Sequence, residues 1–580
     1  MRRRSLDQLV TLLKEHRSER LASRIHKLLA QVGDVEITEA RDLIRLHEAL
    51  LFLRAYPHDR ETMRATDRAL SRFADRVEAL ARSGADLGPF DRPEVSGIAG
   101  TEISTDYSFD VVHWLANRFP RRVRLDWESG RREDRLRALF PKFLPLLEEE
   151  ALEDANVPYL DWIRAAQPDR KHDLEWLIQR IEELPLSGEE RAERYEALKL
   201  PIVWSLGNGP VTRTRMRRRA PEIFFHSEPL IARKDVFLAD ALASPPLPIQ
   251  RLSRREGQEI IDLTRGATAL RYREYYGFTY ADPASVRAAR VGRGVEIFFM
   301  GLERSRRLPL RAGFAAIVVK NGVPVGYVEG LALFERIEIG FNIYYTFREG
   351  ESAWIFGRVL RLLNQLLGVT SFSIDPYQLG HENPEAIDSG AFWFYRKLGF
   401  RPTSPAIARL DESEERKIAA DSSYRSPRRV LRRLVTRNLL YEADPARAGE
   451  WDRFHVRNIG LAVQRRMRVR YGGDPERARR QASSRVARLL GGRLSESEAF
   501  PELALVLDLV TDPPRWNRGE RDALVEIVGA KAGREEIRYL RLLQRHERLR
   551  RALIRLGSAE YPSSRPSRRT RAGSPKSGKR

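Results

Sequence analysis

The sequence predicts an α+β chain: a central α/β domain at about residues 247–410, with a mixed, mostly antiparallel sheet, flanked by all-helical regions. Three observations predict it. Residues 336–347, RIEIGFNIYYTF, place Ile337, Ile339, Phe341, Ile343, Tyr345 and Phe347 on one face of a strand. Glu338, Gly340, Asn342, Tyr344 and Thr346 fall on the other. Asn321-Gly322 stands between two apolar runs, Gly313–Lys320 and Val323–Phe334, and signals a two-residue hairpin because both residues tolerate positive φ. The two ends of the chain instead space their apolar residues at helical intervals.

Taken in order, Leu6, Leu9, Val10 and Leu13, then Leu21, Ile25, Leu28 and Leu29, and then Ile44, Leu46, Leu50, Leu51 and Leu53 mark amphipathic helices up to residue 83. Gly and Pro break the pattern at 83–89. SFDVVHWLANRF reads as a helix, and 131–200 as further helices anchored by Trp162, Trp176 and Leu177. Residues 201–246 read as a transitional linker. Its basic run, Val211–Arg219, reads either as a solvated segment or as a phosphate patch. Glu256–Tyr276 is a helix candidate and VEIFFMGL, 295–302, a strand. After the strand at 336–347 come the turn Arg348-Glu-Gly-Glu-Ser-Ala353, a helix ending at Gly368, the strand VTSFSID and a helix at Ala386–Leu398. Residues 425–560 return to helices, RRVLRRLVTRNLL among them, and 561–580 read as a disordered basic tail. The organisation is therefore a helical region 1–200, a linker 201–246, the α/β domain 247–410, a basic helical domain 425–560 and the tail.

A turn running into a helix N-terminus presents unpaired N–H groups at the positive end of the helix dipole, which suits a pyrophosphate. In that setting the stretch Arg336–Pro402 resembles the GNAT superfamily of N-acyltransferases. The family's turn reads Gln/Arg-x-x-Gly-x-Gly/Ala, matched here by Arg348 and Ala353, with Glu351 where the family has glycine. Its last helix reads Asn-x-x-Ala-x-x-x-Tyr-x-x-x-Gly-Phe, matched by Ala391, Tyr395, Gly399 and Phe400, with Asp388 in place of the asparagine. The resemblance covers about 247–410. It implies a GNAT-like fold and an acyl donor, acetyl-CoA or another acyl-CoA, held by Arg348, Gly350, Ser352 and Ala353. It also implies an amine acceptor, a base at Glu338 or alternatively Glu329, and Tyr395 as proton donor to the departing sulfur. Long flanking regions favour a macromolecular or amphipathic acceptor. The plainer readings stay open: Tyr395 as part of an aromatic cluster with Phe392, Trp393 and Phe394, Glu338 as a solvated carboxylate, Arg348 as the partner of Glu349 or Glu351, Ser352 as a helix cap. Glu351, at the helix N-terminus, would oppose a pyrophosphate, so Glu351→Gly is expected to tighten coenzyme A binding.

Composition bounds the rest. The 580 residues are 42% hydrophobic and 32% charged, an ordinary folded composition, and contain no cysteine, so disulfides, thiolate metal sites and cysteine nucleophiles are excluded. No His-x-x-x-His pair or ordered acidic cluster points to a metal. The first twenty residues do not read as a signal peptide and no run approaches the roughly 18 apolar residues of a membrane span, so the expectation is a cytoplasmic protein. The net charge of +22 is uneven: residues 425–580 carry 38 Lys+Arg against 18 Asp+Glu, which leaves only +2 for the rest. The alternative function is therefore a non-catalytic GNAT-fold binding protein whose segment 425–580 takes nucleic acid or another polyanion. A relative of the aminoacyl-tRNA-dependent GNAT-fold ligases would join the two readings, although the sequence shows no second GNAT-like half.

Overall fold

A computed structural model describes residues 2–13, 19–33, 37–129, 133–147, 157–167, 173–490, 500–510 and 516–560. The basic tail predicted at 561–580 lies outside them. The chain divides into two bodies, Met1–Ala443 with Ala530–Arg541, and Asp444–Gly529 with Leu542–Arg580.

The first body is built on a nine-stranded sheet. A smaller, three-stranded sheet precedes it, formed by β1 (Glu102–Thr105), β2 (Val123–Leu125) and β3 (Ile202–Ser205) in the order β1-β3-β2. The large sheet comprises β4 (Ile249–Arg251), β5 (Arg287–Gly292), β6 (Val295–Gly301), β7 (Ala312–Lys320), β8 (Val323–Leu333), β9 (Arg336–Ile343), β10 (Ser371–Ile374), β11 (Arg401–Pro402) and β12 (Leu439–Glu442). Its order is β11-β12-β10-β9-β8-β7-β6-β5-β4, and every neighbouring pair is antiparallel except β9–β10.

The hairpin forms where Asn321-Gly322 predicts it. Both residues have positive φ, 47° and 82°, as a primed turn requires. Gly322 has a second reason to be glycine: a Cβ there would lie 2.2 Å from the Arg218 carbonyl oxygen. The strand β9 has the alternating burial its sequence announces, but it stops at Ile343. Its partner β8 gives out at the Gly326–Ile343 pair, the Tyr344 N–H closes on the Val325 carbonyl at 2.9 Å, and Tyr345–Phe347 curl into a 3-10 turn. Helix Ser352–Leu367 then packs Ile355, Phe356, Val359, Leu360 and Leu363 inward and ends at Gly368, left-handed at φ 69°. Helix Arg254–Ala269 opens with a Ser253/Glu256 capping box.

Three sequence expectations need correction. The flanks are not all-helical: β1–β3 lie within 1–205, and strands of three or four residues are too short for a period-two signal. The basic run in the linker 201–246 is not a solvated segment. Thr212, Arg213, Thr214, Met216 and His226 are buried, and Arg213 pairs with Glu48 at 2.9 Å. The central sheet does not end near 410. Helix Arg428–Leu434 stops short of the predicted helix end, and Leu439–Glu442 becomes β12, inserted between β10 and β11. Residues 530–541 also belong to this body, with the Tyr539 hydroxyl on the Leu310 carbonyl at 2.6 Å and Lys531 on Glu536.

Helices Arg2–Leu12 to Phe73–Arg82 form a core from the leucines that the sequence marks, among them Leu6, Leu9, Leu28, Leu46, Leu50 and Leu53. Removing each from water contributes on the order of 1.5–3 kcal/mol. The second body is helical. Its buried Asp508 takes Arg466 at 2.9 Å, Arg485 and the Tyr471 hydroxyl at 3.0 Å, so part of the C-terminal arginine content is structural.

Candidate active site

The one parallel pair creates the candidate site. Strands β9 and β10 stay in register from Arg336–Ser371 to Glu338–Ser373. Beyond that, β10 ends at Ile374 while β9 runs on to Ile343, and the sheet loses its neighbour on that side. Two cavities open there. One, of about 380 Å³, is bordered by Phe341, Ile343, Arg348, Ser352, Phe394 and Tyr395. The other, of about 430 Å³, is bordered by Leu331, Ile339 and the carboxylates Glu329, Glu338 and Asp375, with Arg311 beside them. Tyr377 and Gln378, just after β10, border both. The run of β9 explains the division: residues 338–340 face the carboxylate cavity, residues 341–343 the other.

In the first cavity, Tyr395 is 3% exposed and its ring packs on Phe356, Phe394 and Phe400 at 5.5, 5.2 and 5.6 Å between centroids. The aromatic-cluster reading is true of this side chain, which also borders the cavity. Its hydroxyl has no hydrogen-bond partner among the described residues, and burial pushes the phenol well above its usual pKa, so it stays protonated across the physiological range. Ser352, the first residue of its helix, does not cap it; its hydroxyl donates to the Arg348 carbonyl at 2.9 Å. Arg348 lies against the Tyr345 ring and pairs with Glu385 at 2.9 Å, not with Glu349 or Glu351.

The other two residues of the predicted donor turn face elsewhere. Gly350 turns toward the N-terminal helices, and a Cβ on it would meet the Tyr56 hydroxyl at 2.5 Å. Ala353 is buried in the helix's packed face. Neither borders the cavity. Glu351 is the larger departure. Its side chain is 0% exposed, accepts the Ile231 N–H at 3.2 Å, and pairs with Arg293 at 2.5 Å and with the equally buried Lys320 at 3.4 Å. It is spent on those cations and does not oppose an anion at the helix end, which corrects the expectation from sequence.

In the carboxylate cavity, Glu338 is about a quarter exposed and faces Arg311 at 3.4 Å and Arg336 at 3.5 Å, so it is not a freely solvated carboxylate. Glu329 is more enclosed. Burial pushes its carboxyl up, offset in part by the Gly277 N–H at 3.2 Å. Asp375 is also raised, by burial first and then by Glu338 among its neighbours, although the Tyr377 N–H works the other way.

Sequence reasoning missed Tyr275, Tyr327, Asn342 and Glu385, which border the first cavity. The Tyr275 and Tyr327 hydroxyls bond each other, and Asn342 donates to Tyr327 at 3.2 Å. Nothing local could have found Tyr275 with Tyr327, which lie 52 residues apart. Ser104, Asp106 and His113 pair with Asp126, Lys199 and Glu182 respectively. Among the described residues no group of three His, Asp or Glu could hold a metal ion, and no helix is long and apolar enough to cross a membrane. No family model, no curated protein and no solved structure matches the chain.

Proposed function

We propose that the chain is a GNAT-type N-acyltransferase that moves an acyl group from an acyl-CoA to an amine of its acceptor. The observation that carries this reading is the pair of cavities meeting at Tyr377 and Gln378 where β9 and β10 part, with a proton donor in one and carboxylates in the other. The Tyr395 hydroxyl, enclosed and without a partner among the described residues, suits the acyl-donor side. Arg348 and Ser352 border the same cavity at a helix N-terminus.

The chemistry follows from the residues. The amine nitrogen forms a bond to the thioester carbonyl carbon and the carbon–sulfur bond breaks. Glu329 takes the proton leaving the nitrogen; its raised affinity for protons makes it a better base than an exposed carboxylate. Tyr395 supplies a proton to the departing sulfur. Glu338 is the second base candidate, paired with Arg311 and Arg336.

One observation favours the non-catalytic reading: Glu385 already occupies Arg348, so a phosphate at that end must displace a carboxylate or rely on helix N–H groups alone. In that case 425–580 would be the binding region. Thermal unfolding of the full chain with acetyl-CoA and longer acyl-CoAs separates the two. Ligand at a hundredfold excess over Kd should stabilise by about 2.7 kcal/mol. Tyr395→Phe should keep that stabilisation and lose turnover on the order of a hundredfold. No response to any acyl-CoA leaves the binding-protein reading standing.

A further inference from the structure

At the end of β9 a pocket of about 100 Å³ opens beside the larger Tyr395 cavity, and Arg273, Tyr275, Tyr327, Asn342 and Glu385 border both. Its own wall adds Glu94, Thr268, Arg271, Tyr344 and Tyr345. Arg271 follows helix Arg254–Ala269 and is half-buried, with its guanidinium carbon 3.6 Å from the centre of the Tyr344 ring. One of its N–H groups donates to the Ala267 carbonyl at 2.5 Å, an ordinary way to close a helix end. The other N–H groups have no hydrogen-bond partner among the described residues, and Arg271 has no ion pair there, whereas Arg213 pairs with Glu48 and Arg348 with Glu385. Burial brings the Arg271 guanidinium down from 12.5 to about 10, offset only in part by Tyr344 and Glu48. A cation so placed favours an anion brought beside it.

The carboxylates of the pocket narrow the ligand further. Glu94 is half-buried, and its carboxylate has no hydrogen bond or ion pair among the described residues, Arg271 included. Glu385 is engaged by Arg348 at 2.9 Å and lies 3.9 Å from Arg273. The pocket therefore brings together one unpaired guanidinium and one unpaired carboxylate. A phosphate or sulfate would meet Glu94 and Glu385, and a simple amine would meet Arg271. A group that carries both charges answers both: a carboxylate takes two parallel N–H bonds from a guanidinium, and an ammonium donates to a carboxylate. The volume is about three times a water's share of the liquid, room for a carboxylate and an ammonium on one carbon. The rest of such a molecule extends toward Phe341 and Ile343 in the larger cavity.

We propose that this pocket binds the head of a free α-amino acid, its carboxylate on Arg271 and its ammonium on Glu94, with the side chain passing Tyr275 and Tyr327 into the larger cavity. The inference rests on these groups and not on acyl transfer, so either can fail alone.

Calorimetric titration of the full chain with L-norleucine tests it, alongside hexanoate, which lacks the ammonium, and pentylamine, which lacks the carboxylate. Saturable binding of norleucine, tighter than about 1 mM, is expected, with each of the other two weaker by about tenfold or more. Arg271→Gln should erase the preference over pentylamine, and Glu94→Gln the preference over hexanoate. Glu94 has no partner to lose, so its variant should keep the parent's melting temperature. If Arg271→Gln does not keep it, Arg271→Lys decides: it retains the charge but loses the fork, and should weaken norleucine by roughly tenfold. Acetyl-CoA titrated into the same protein reads the larger cavity, which tells a failure of the acyl-transfer reading from a failure of this one. The proposal is overturned if norleucine does not saturate, if hexanoate or pentylamine binds as tightly, or if Glu94→Gln or Arg271→Lys binds norleucine as the parent does.

Discussion

Removing the Glu351 carboxylate is the perturbation whose sign the structure reverses. If that carboxylate faced the donor cavity, Glu351→Gly would relieve repulsion and tighten coenzyme A binding. It faces inward instead, on Lys320 and Arg293, with the Ile231 N–H as a third partner. Breaking a buried ion pair by deleting one member costs about 3–5 kcal/mol, because the other charge is left in low dielectric. Lys320, at 0% exposure, has no route to water, whereas Arg293 is a fifth exposed and can turn outward. A loss of about 4 kcal/mol follows for the first body. One kcal/mol moves the melting temperature by roughly 2–4 °C in a body of 150–250 residues, and by about half that in one twice the size, so the expected drop is about 4–8 °C. Calorimetry of the full chain reads it as a shift of the transition that carries the first body. A compensated variant sharpens the test. Lys320→Met in a Glu351→Leu background should recover most of the loss, since replacing both members of a buried pair by apolar residues is close to neutral. A Glu351→Gly protein that melts within 1 °C of its parent, or that binds coenzyme A more tightly, would refute this account.

Glu48 and the C-terminal segment carry the further outcomes. The Glu48 carboxyl is subject to burial, which raises it, but the Arg213 guanidinium, His47 and the Thr346 hydroxyl together bring it from 4.5 to about 2. Its folded value lies below its unfolded one, so the stabilisation is complete above about pH 4.5 and is lost as pH falls through 2. Acid titration of stability should show Glu48→Gln lacking about 3 kcal/mol near neutral pH, a gap that closes toward pH 2. For polyanion binding, deleting 425–580 is expected to unfold the sheet, because it removes β12 and the 530–541 segment. Replacing the exposed Arg465, Arg468 and Arg470 by Gln should instead leave the fold intact and lower the salt at which the chain leaves heparin; unchanged elution would exclude that helix.

What was legible in the sequence was local. Asn321-Gly322 carries its own turn chemistry, the alternation of Arg336–Ile343 its own face, and Gly368 its own stop. What was not legible depends on partners far along the chain. Leu439–Glu442 continues a helical-looking run, and only the slot between β10 and β11 makes it a strand. Arg213 looks like one of several solvated arginines until Glu48, 165 residues away, is placed against it. The same holds at the candidate site. Tyr395 was readable because a helix motif carries it, whereas the enclosure of Glu329 comes from packing against Gly277.

Those distant contacts converge on the stretch Tyr344–Ala353, and this explains why a turn that departs from the GNAT pattern it resembles in sequence holds one shape. Thr346 is tied to Glu48 and Arg213, Gly350 is pressed on Tyr56, and Glu351 is held by Lys320, Arg293 and Ile231. Each partner lies outside the stretch, and Glu48 and Tyr56 belong to the N-terminal region. In the family pattern a glycine lets the backbone itself approach an anion. Here the corresponding side chain is turned the opposite way and anchored, so the helix end next to Arg348 and Ser352 stays clear of it. The N-terminal region therefore holds in place the stretch that carries Arg348 and Ser352 to the cavity. Loosening that support, by Glu48 or by Glu351, reaches the site without touching any residue that borders it.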